Sequence, residues 1–349
     1  MSVLPAASRT RQRVIVLVLT VCALLALGAA GLAGSVPVPF SDLPQALSSL
    51  MAGEPDGMSA TLLDLRLGRA SAAFATGAAL ALAGVMMQAL VRNPLADPYV
   101  LGVSAGAAVG ALAALLFGAA LWMVDLGALA GAIGISLLLY LLARRDLGGG
   151  RSSGREAVRT GESGVLLLTG VVLASACMAL VTLMLSVAPE SRLRGMVFWM
   201  IGDLAGASWR PLPWVVLGLA VLLALRRARA LNVMALHADA AVALGIDVAA
   251  ERRFLFLCSG LLTACAVTTG GSIGFVGLVV PHACRHAFGP DHRILLPAAT
   301  LAGGSFLVVA DTLARTVLAP QQLPVGVLTS LIGVPVFLFQ LHQLHLRRR

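Results

Sequence analysis

The chain has 349 residues, of which 59% are hydrophobic and 12% are charged, and its mean hydropathy is +0.93. Soluble domains are about 25% charged, so this composition excludes a soluble globular protein and predicts an all-α, polytopic membrane protein. The net charge is +9, and all 25 basic residues are arginines. A chain without lysine cannot build a Walker ATP-binding loop or a Schiff base, which excludes both kinds of enzyme site.

Apolar runs of membrane-spanning length recur along the whole sequence. The first, 14–34, follows three arginines and is longer than a signal-peptide core, so it predicts a retained helix with a cytoplasmic N-terminus. Residues 35–68 hold four prolines and four acidic residues and predict a loop with one short amphipathic helix near 42–52. Nine further runs give about ten spans in all: 69–90, 99–118, 121–142, 164–186, 212–225, 254–269, 274–288, 294–313 and 325–345.

Ten spans place both termini on the same side of a membrane. With the N-terminus inside, 19 of the 25 arginines fall in inner segments, the asymmetry that the positive-inside rule describes. No basic run is interleaved with aromatic residues, so a nucleic-acid partner is not expected. The sequence therefore predicts a multi-pass protein of the bacterial inner membrane, surrounded by lipid, with both termini in the cytoplasm. The six outer arginines are Arg66, Arg69, Arg192, Arg194, Arg210 and Arg315.

The predicted spans belong to one transmembrane domain that covers residues 1–349. A stretch rich in glycine, serine and arginine interrupts the apolar pattern and predicts a flexible cytoplasmic linker at 143–163. The linker separates a first helix group, about 14–142, from a second, about 164–345. Each group holds about five spans, and because five is odd, a duplicated unit would form an inverted repeat.

The interiors of the predicted spans lack titrating groups. Asp125 and Asp311 lie near span ends, and no acidic residue, histidine or arginine falls at the middle of a predicted helix. Carriers driven by protons need such groups within the membrane. The energy for transport must then come from another subunit, or the protein is a passive channel or secondary carrier.

Two local patterns resemble chemical sites without their context. Gly102-x-Ser104-x-Gly106 matches a hydrolase nucleophile elbow, but it begins an apolar helix instead of following a strand. Helix packing is the better interpretation, with an intramembrane hydrolase that uses Ser104 as a third hypothesis. His282 and His286 share a helix face, but no third metal ligand accompanies them. We expect no catalytic residue, no metal site and no cofactor.

Residues 226–253 form the longest cytoplasmic segment that is predicted to be ordered. Within it, His237–Ile246 has a short helical pattern that ends at Gly245, a residue typical of helix stops. Arginines flank this helix on both sides. It would serve either as a surface anchor or as a contact for a cytoplasmic partner.

Several motifs follow one another in a fixed order between about residues 60 and 340. Each is weak alone, but together they resemble the permeases of binding-protein-dependent ABC importers for iron–siderophore, haem and cobalamin, the FecCD type. The motifs are Arg66–Arg69, Gly77–Ala81, Gln88–Pro98, Leu101–Gly106, Ile273–His282, Gly289–Arg293, Ala310–Arg315 and Leu323–Gly326.

This resemblance implies a homodimer of ten-helix subunits with a central translocation path. It also implies two copies of a cytoplasmic ATP-binding subunit and a periplasmic substrate-binding protein. The chain itself would be a transport subunit and not an enzyme, importing a large metal chelate into the cytoplasm. A secondary carrier or passive channel remains the alternative, and the choice among siderophore, haem and cobalamin stays open.

The resemblance also assigns roles to three groups of residues. In the family, arginines at the positions of Arg66, Arg69 and Arg315 receive carboxylates of the binding protein. A coupling loop at about 230–250 contacts the ATPase. The coupling residues would be His237, Asp239, Ala240, Ala241 and Gly245, with Asp239 in place of the usual glutamate. The structural motif residues would be Asn93, Pro94, Asp97, Pro98, Gly274, Gly277, Pro281, Pro324 and Gly326.

Two positions depart from the pattern of this family. Many relatives have proline where Gly68 and Ser272 stand in this sequence. Loss of proline frees the backbone, so the loops at these positions should be less rigid than in those relatives.

Overall fold

A computed structural model describes residues 9–53, 55–147, 162–236 and 238–348. Most of the predicted linker, from 148 to 161, lies outside these ranges. The described residues form α-helices and two short 3-10 helices, Phe40–Asp42 and Pro98–Leu101, without a strand. The α-helices are α1 Arg9–Leu32, α2 Leu43–Met51, α3 Gly57–Val91, α4 Val103–Leu116, α5 Leu121–Leu147, α6 Glu162–Val187, α7 Glu190–Ile201, α8 Pro211–Leu236, α9 Ala238–Ala243, α10 Val248–Gly270, α11 Val276–Phe288, α12 His292–Thr316 and α13 Val325–Arg348.

This architecture confirms the all-α, polytopic prediction. Each predicted apolar run corresponds to a helix, and the short amphipathic helix predicted near 42–52 is α2. Six helices of the described residues are long and apolar enough to cross a membrane alone: α1, α3, α5, α6, α10 and α12. Shorter apolar helices lie at Val103–Leu116 and Val325–Gln340.

Two boundaries differ from the sequence-based expectation. Helix α3 begins at Gly57 instead of residue 69 and runs for 35 residues, since polar residues in its first turns interrupt the apolar pattern without ending the helix. Residues 190–201 form helix α7. The apolar runs of the sequence predict no helix here, only an outer segment between two spans. The charged first turns of α7 weaken the apolar signal on which that prediction relies.

Helix α3 is the centre of the bundle. Its apolar window is 94% buried, and α1, α8, α10, α11 and α12 all pack against it. Glycines permit the closest approaches, since a Cβ atom on Gly77 would lie 2.3 Å from the Gly303 carbonyl oxygen, and one on Gly84 would lie 1.9 Å from that of Gly277. Small residues drive such packing within membranes. The apolar windows of α1, α5 and α6 are only 17–22% buried and are free to contact lipid.

Contacts between helices show which helix ends lie together. Arg69 of α3 and Asp311 of α12 are paired at one end of the bundle. Asn232 of α8 bonds to Asp291, which precedes α12, at the other end, where α9 follows α8. These ends are called outer and inner below, after the sides predicted from the arginine distribution.

Candidate functional site

Four interruptions of helical structure converge inside the bundle. The segment 271–275 separates α10 from α11, and its first residue, Gly271, has φ +68° with the Trp199 carbonyl oxygen 2.3 Å from where a Cβ atom would be. Gly202, with φ +87°, ends α7. Gly326 in the first turn of α13 approaches so closely that its Cβ atom would lie 1.8 Å from the Ile201 carbonyl oxygen. The Pro98–Leu101 3-10 helix completes the set.

These interruptions surround a cavity of about 480 Å³. Within the described part of the chain, its lining holds no charged side chain. Non-helical backbone is tolerated at membrane depth where it lines a cavity, and broken helices mark the substrate sites of many transporters. The lining residues are Tyr99, Met200, Ile201, Ser272, Gly274, Gly326, Val327, Ser330 and Leu331.

Hydroxyl groups satisfy much of the exposed backbone at the cavity. The Tyr99 hydroxyl donates to the Ile273 carbonyl at 2.9 Å, and the Ser330 hydroxyl donates to the Gly326 carbonyl at 2.8 Å. The hydroxyls of Ser104 and Ser272 are hydrogen-bonded to each other. Ser104 thus helps to hold the 271–275 segment against the start of α4. The cavity can accept a solute through hydroxyl groups and apolar surface.

Family-motif residues from both halves of the chain meet beside this cavity. Gly274 and Gly326 line it, and Pro98 packs so tightly on Gly277 that a Cβ atom there would lie 2.8 Å from the proline ring. The Asp97 side chain accepts a hydrogen bond from the Tyr99 backbone N–H at 2.8 Å.

The other four motif residues shape the adjoining turns. The Asn93 side chain accepts from the Leu95 N–H at 3.0 Å, within the loop that contains Pro94. Pro281 lies inside α11, and Pro324 directly precedes α13. None of the four is among the residues that line the cavity.

Seven lining residues were not predicted as site residues from the sequence: Tyr99, Met200, Ile201, Ser272, Val327, Ser330 and Leu331. Apolar and hydroxyl side chains are also ordinary packing residues, so their types gave no signal. The sequence signal that could have found them is the position of Gly202 and Gly271, which interrupt runs that are otherwise apolar. In the structure both glycines have positive φ.

The predicted docking arginines lie at the outer end, but their side chains are buried. Arg66, Arg69 and Arg315 are 5–7% exposed. Arg69 binds both carboxylate oxygens of Asp311, with its Nη2 atom 2.7 Å from Oδ1, and it also donates to Gln322 at 2.8 Å. Arg315 Nε lies 3.2 Å from the other Asp311 oxygen.

Other donors of Arg66 and Arg315 are hydrogen-bonded to backbone carbonyls near and just beyond the end of α1. Arg66 donates to the carbonyls of Leu32, at 2.9 Å, and Val36. Arg315 donates to that of Ala30 at 3.2 Å. The three arginines therefore tie α1, α3 and α12 together, and their role in docking stays a prediction. Asp311 is the partner that sequence reasoning did not assign.

The coupling loop contains the short helix that its sequence predicted. Helix α9 ends at Ala243, and Gly245 follows with φ +77°. The N–H of Ile246 donates to the Ala241 carbonyl at 3.0 Å, a left-handed helix stop that favours glycine. Val242 and Leu244 are 64% and 69% exposed, so the loop presents apolar side chains to its surroundings. His237 lies outside the described residues, as do the side chains of Asp239 and Ala240.

Apolar helices of membrane-spanning length, packed around a cavity that is lined where helices are interrupted, define the class of protein as a polytopic membrane permease. The model of the FecCD transport family matches residues 16–343, so the chain belongs to this family. Cobalamin import system permease protein BtuC of Halobacterium salinarum is 39% identical over 319 residues, which cover 90% of this chain and 82% of the relative. Vitamin B12 import system permease protein BtuC of Escherichia coli O127:H6 is 41% identical over 282 residues, which cover 79% of this chain and 82% of that relative.

A solved structure supports the same assignment. It is described as an inward-facing conformation of a metal-chelate type ABC transporter, and it superposes with a TM-score of 0.78 at 30% identity, covering 95% of this chain and 99% of that one. The chain is thus the membrane permease of an ABC importer for chelated substrates. ATP hydrolysis belongs to a separate subunit, so the protein is not an enzyme. This assignment excludes the secondary carrier, the passive channel and the Ser104 hydrolase.

Proposed function

We propose that this permease imports cobalamin or a closely related neutral corrinoid. The uncharged lining of the cavity carries this proposal. Haem bears carboxylates and many ferric siderophores bear net charge, and this lining offers a charged group no opposite charge to pair with. A corrinoid instead presents amide groups and apolar ring edges, which the hydroxyls of Tyr99, Ser272 and Ser330 suit. The two relatives named for cobalamin or vitamin B12 import support the same choice.

A second copy of the chain would complete the path. A cavity of about 480 Å³ is too small for a whole corrinoid, so one protomer would supply only part of the route. The exposed apolar faces of α5 and α6 leave room for a homodimer as well as lipid. The translocation path would then run between two copies.

The coupling loop would receive the ATPase on the cytoplasmic side. We infer two copies of an ATP-binding subunit, each contacting one α9, with Val242 and Leu244 as the exposed apolar contacts. His237, Asp239, Ala240, Ala241 and Gly245 would form the coupling residues, as the family resemblance implies. Both termini would then lie in the cytoplasm and the protein in the cytoplasmic membrane, in accord with the arginine distribution.

A periplasmic binding protein would dock at the outer end. Direct pairing of its carboxylates with Arg69 or Arg315 would require Asp311 to be displaced, since these side chains are internally bonded. Arg194 and Arg210 are the more exposed outer arginines, with the Arg210 side chain 47% exposed. Such rim charges would steer the encounter more than they add affinity.

Transport by a reconstituted complex tests the substrate. The permease, its ATPase and its binding protein would be placed in proteoliposomes and offered labelled cyanocobalamin, haem or a ferric hydroxamate. We expect ATP-dependent accumulation of cyanocobalamin alone, and none without nucleotide. Accumulation of haem or the hydroxamate without cyanocobalamin would overturn the proposal.

A further inference from the structure

A single asparagine joins two helical elements at the inner end of the bundle. Asn232 lies in the last turns of α8, and its Nδ2 atom donates to Asp291 Oδ1 at 2.7 Å. Its Oδ1 atom accepts the backbone N–H of His292 at 2.8 Å and lies 2.8 Å from Nδ1 of the same histidine. Asp291 in turn accepts the Arg293 N–H at 2.9 Å, which caps α12. One side chain thus connects α8 to the turn between α11 and α12.

The two connected elements lead to the two functional regions. Four residues beyond Asn232, α8 ends and α9 of the coupling loop begins. On the other side, α11 ends shortly before His292 and begins beside segment 271–275, whose residues Ser272 and Gly274 line the cavity. Among the described residues, α9 itself packs on α8 and α10. Helix α8 therefore connects the coupling loop to the α11–α12 turn.

Helix α11 spans the distance between this turn and the cavity wall. Its 13 residues form a rod of about 20 Å. Arg285 on its surface donates to Gln88 of α3 at 3.1 Å, and Gly277 near its start is pressed against Pro98 and the Leu80 carbonyl. It is thus held against the central helix along its side, while its inner end is tied to α8 through the turn.

His292 makes this junction sensitive to the loss of Asn232. The residue is 2% exposed, and its Nε2 atom has no hydrogen-bond partner among the residues that the structure describes. In that part of the chain, Nδ1 therefore makes the one polar contact of this buried ring, and that contact is with Asn232. Buried polar groups that lose their partners are costly, so removal of the amide would release the turn.

We propose that Asn232 is a positioning residue that transmits movement of the coupling loop to the α11–α12 turn and from there to the cavity wall. This inference rests on the proposed role of the α9 loop as the ATPase contact. It makes Asn232 a determinant of coupling that touches neither solute nor nucleotide.

The test separates coupling from folding. In the reconstituted complex, Asn232→Leu should preserve ATP hydrolysis and lower solute transported per ATP by about tenfold. Asn232→Asp should also uncouple, since two carboxylates would then face each other. The double change Asn232→Asp with Asp291→Asn should restore part of the coupling. The amide introduced at position 291 can turn so that its Nδ2 donates to the new carboxylate while its Oδ1 still accepts the Arg293 N–H, and the carboxylate at position 232 still accepts the His292 N–H. Arg293→Ala, an exposed side chain on the same turn, is the matched control and should transport normally.

A second measurement needs no chelate. In a background without native cysteines, Ser272→Cys would be labelled with a maleimide in nucleotide-free and vanadate-trapped complexes. We expect the labelling rate to differ between the two states, and Asn232→Leu to abolish the difference. An unchanged difference, a parallel loss of hydrolysis and transport, or a swap that fails to recouple a folded complex would overturn the inference. Failure to transport cyanocobalamin with normal labelling would instead count against the substrate alone.

Discussion

Arg69 and Asp311 form a buried ion pair that joins α3 to α12, with 2.7 Å between Nη2 and Oδ1 and the Asp311 side chain 1% exposed. Arg315 shares the same carboxylate at 3.2 Å. One acidic group therefore balances two guanidinium groups in a place that water does not reach.

Removal of that carboxylate should be strongly destabilising. Breaking a buried pair leaves an uncompensated charge, at a cost of about 3–5 kcal/mol. We expect Asp311→Asn to lower the midpoint of thermal unfolding in detergent sharply. Asp125→Asn is the control, because it breaks the half-exposed pair with Arg210 and should cost at most about 1 kcal/mol. Equal shifts for the two variants would contradict this account of the cluster.

The contact between Gly84 and Gly277 should tolerate no side chain. Gly84→Ala would place a Cβ atom 1.9 Å from a carbonyl oxygen, and overpacking of this kind costs about 1–3 kcal/mol. We expect lower yield of folded protein and a lower unfolding midpoint. Gly134→Ala in α5, where nothing lies within 4 Å, should be neutral or stabilise the helix by up to about 1 kcal/mol. A stable Gly84→Ala variant would show that α3 and α11 are less closely packed.

Gly245 should matter for coupling more than for stability. Its φ is +77° and no atom lies within 4 Å of the Cβ position, so Gly245→Val strains only the backbone, by about 1–2 kcal/mol. We expect the reconstituted complex to hydrolyse ATP while uptake falls. Gly53→Val provides the same strain, at φ +80° and in open space, but far from the coupling loop. Undiminished transport by the Gly245 variant, or equal loss in both, would argue against the role of this loop.

A bulky residue at position 330 should obstruct the cavity. Ser330→Trp fills space beside Tyr99 and Met200, and uptake should fall by more than about tenfold, because the added ring takes up cavity volume that the solute would need. ATP hydrolysis should persist. Leu338→Trp is the control, since Leu338 lies on the same helix and is 57% exposed. Normal uptake by the Ser330 variant would place the path elsewhere.

The sequence predicted the helices better than it predicted their breaks. Apolar runs located the helical segments, and Gly245 correctly marked the end of α9, because both signals are local. The extension of α3 from Gly57 to residue 69 was missed because Arg66 and Arg69 look like loop residues until their partners are known. Asp311 lies 242 residues from Arg69, and no local pattern reveals such a pairing.

The sequence did not predict the cavity, for a related reason. Ordered motifs led to Gly274 and Gly326, but Met200 and Ser330 have no chemistry that distinguishes them from packing residues. Only the meeting of α7, α13 and segment 271–275 gives them a common surface. These lining residues could therefore be identified only from the tertiary structure and not from their residue types.

The length of α3 has a consequence for how the protein sits in its bilayer. Thirty-five residues extend about 52 Å, against a hydrocarbon layer of about 30 Å. To submerge such a rod completely would need an inclination of about 55°, outside the range of about 0–40° found for membrane helices. At least one end must therefore stand in water, and the exposed first turn around Met58 identifies it. The first turns of α3 therefore extend the bundle beyond the lipid surface.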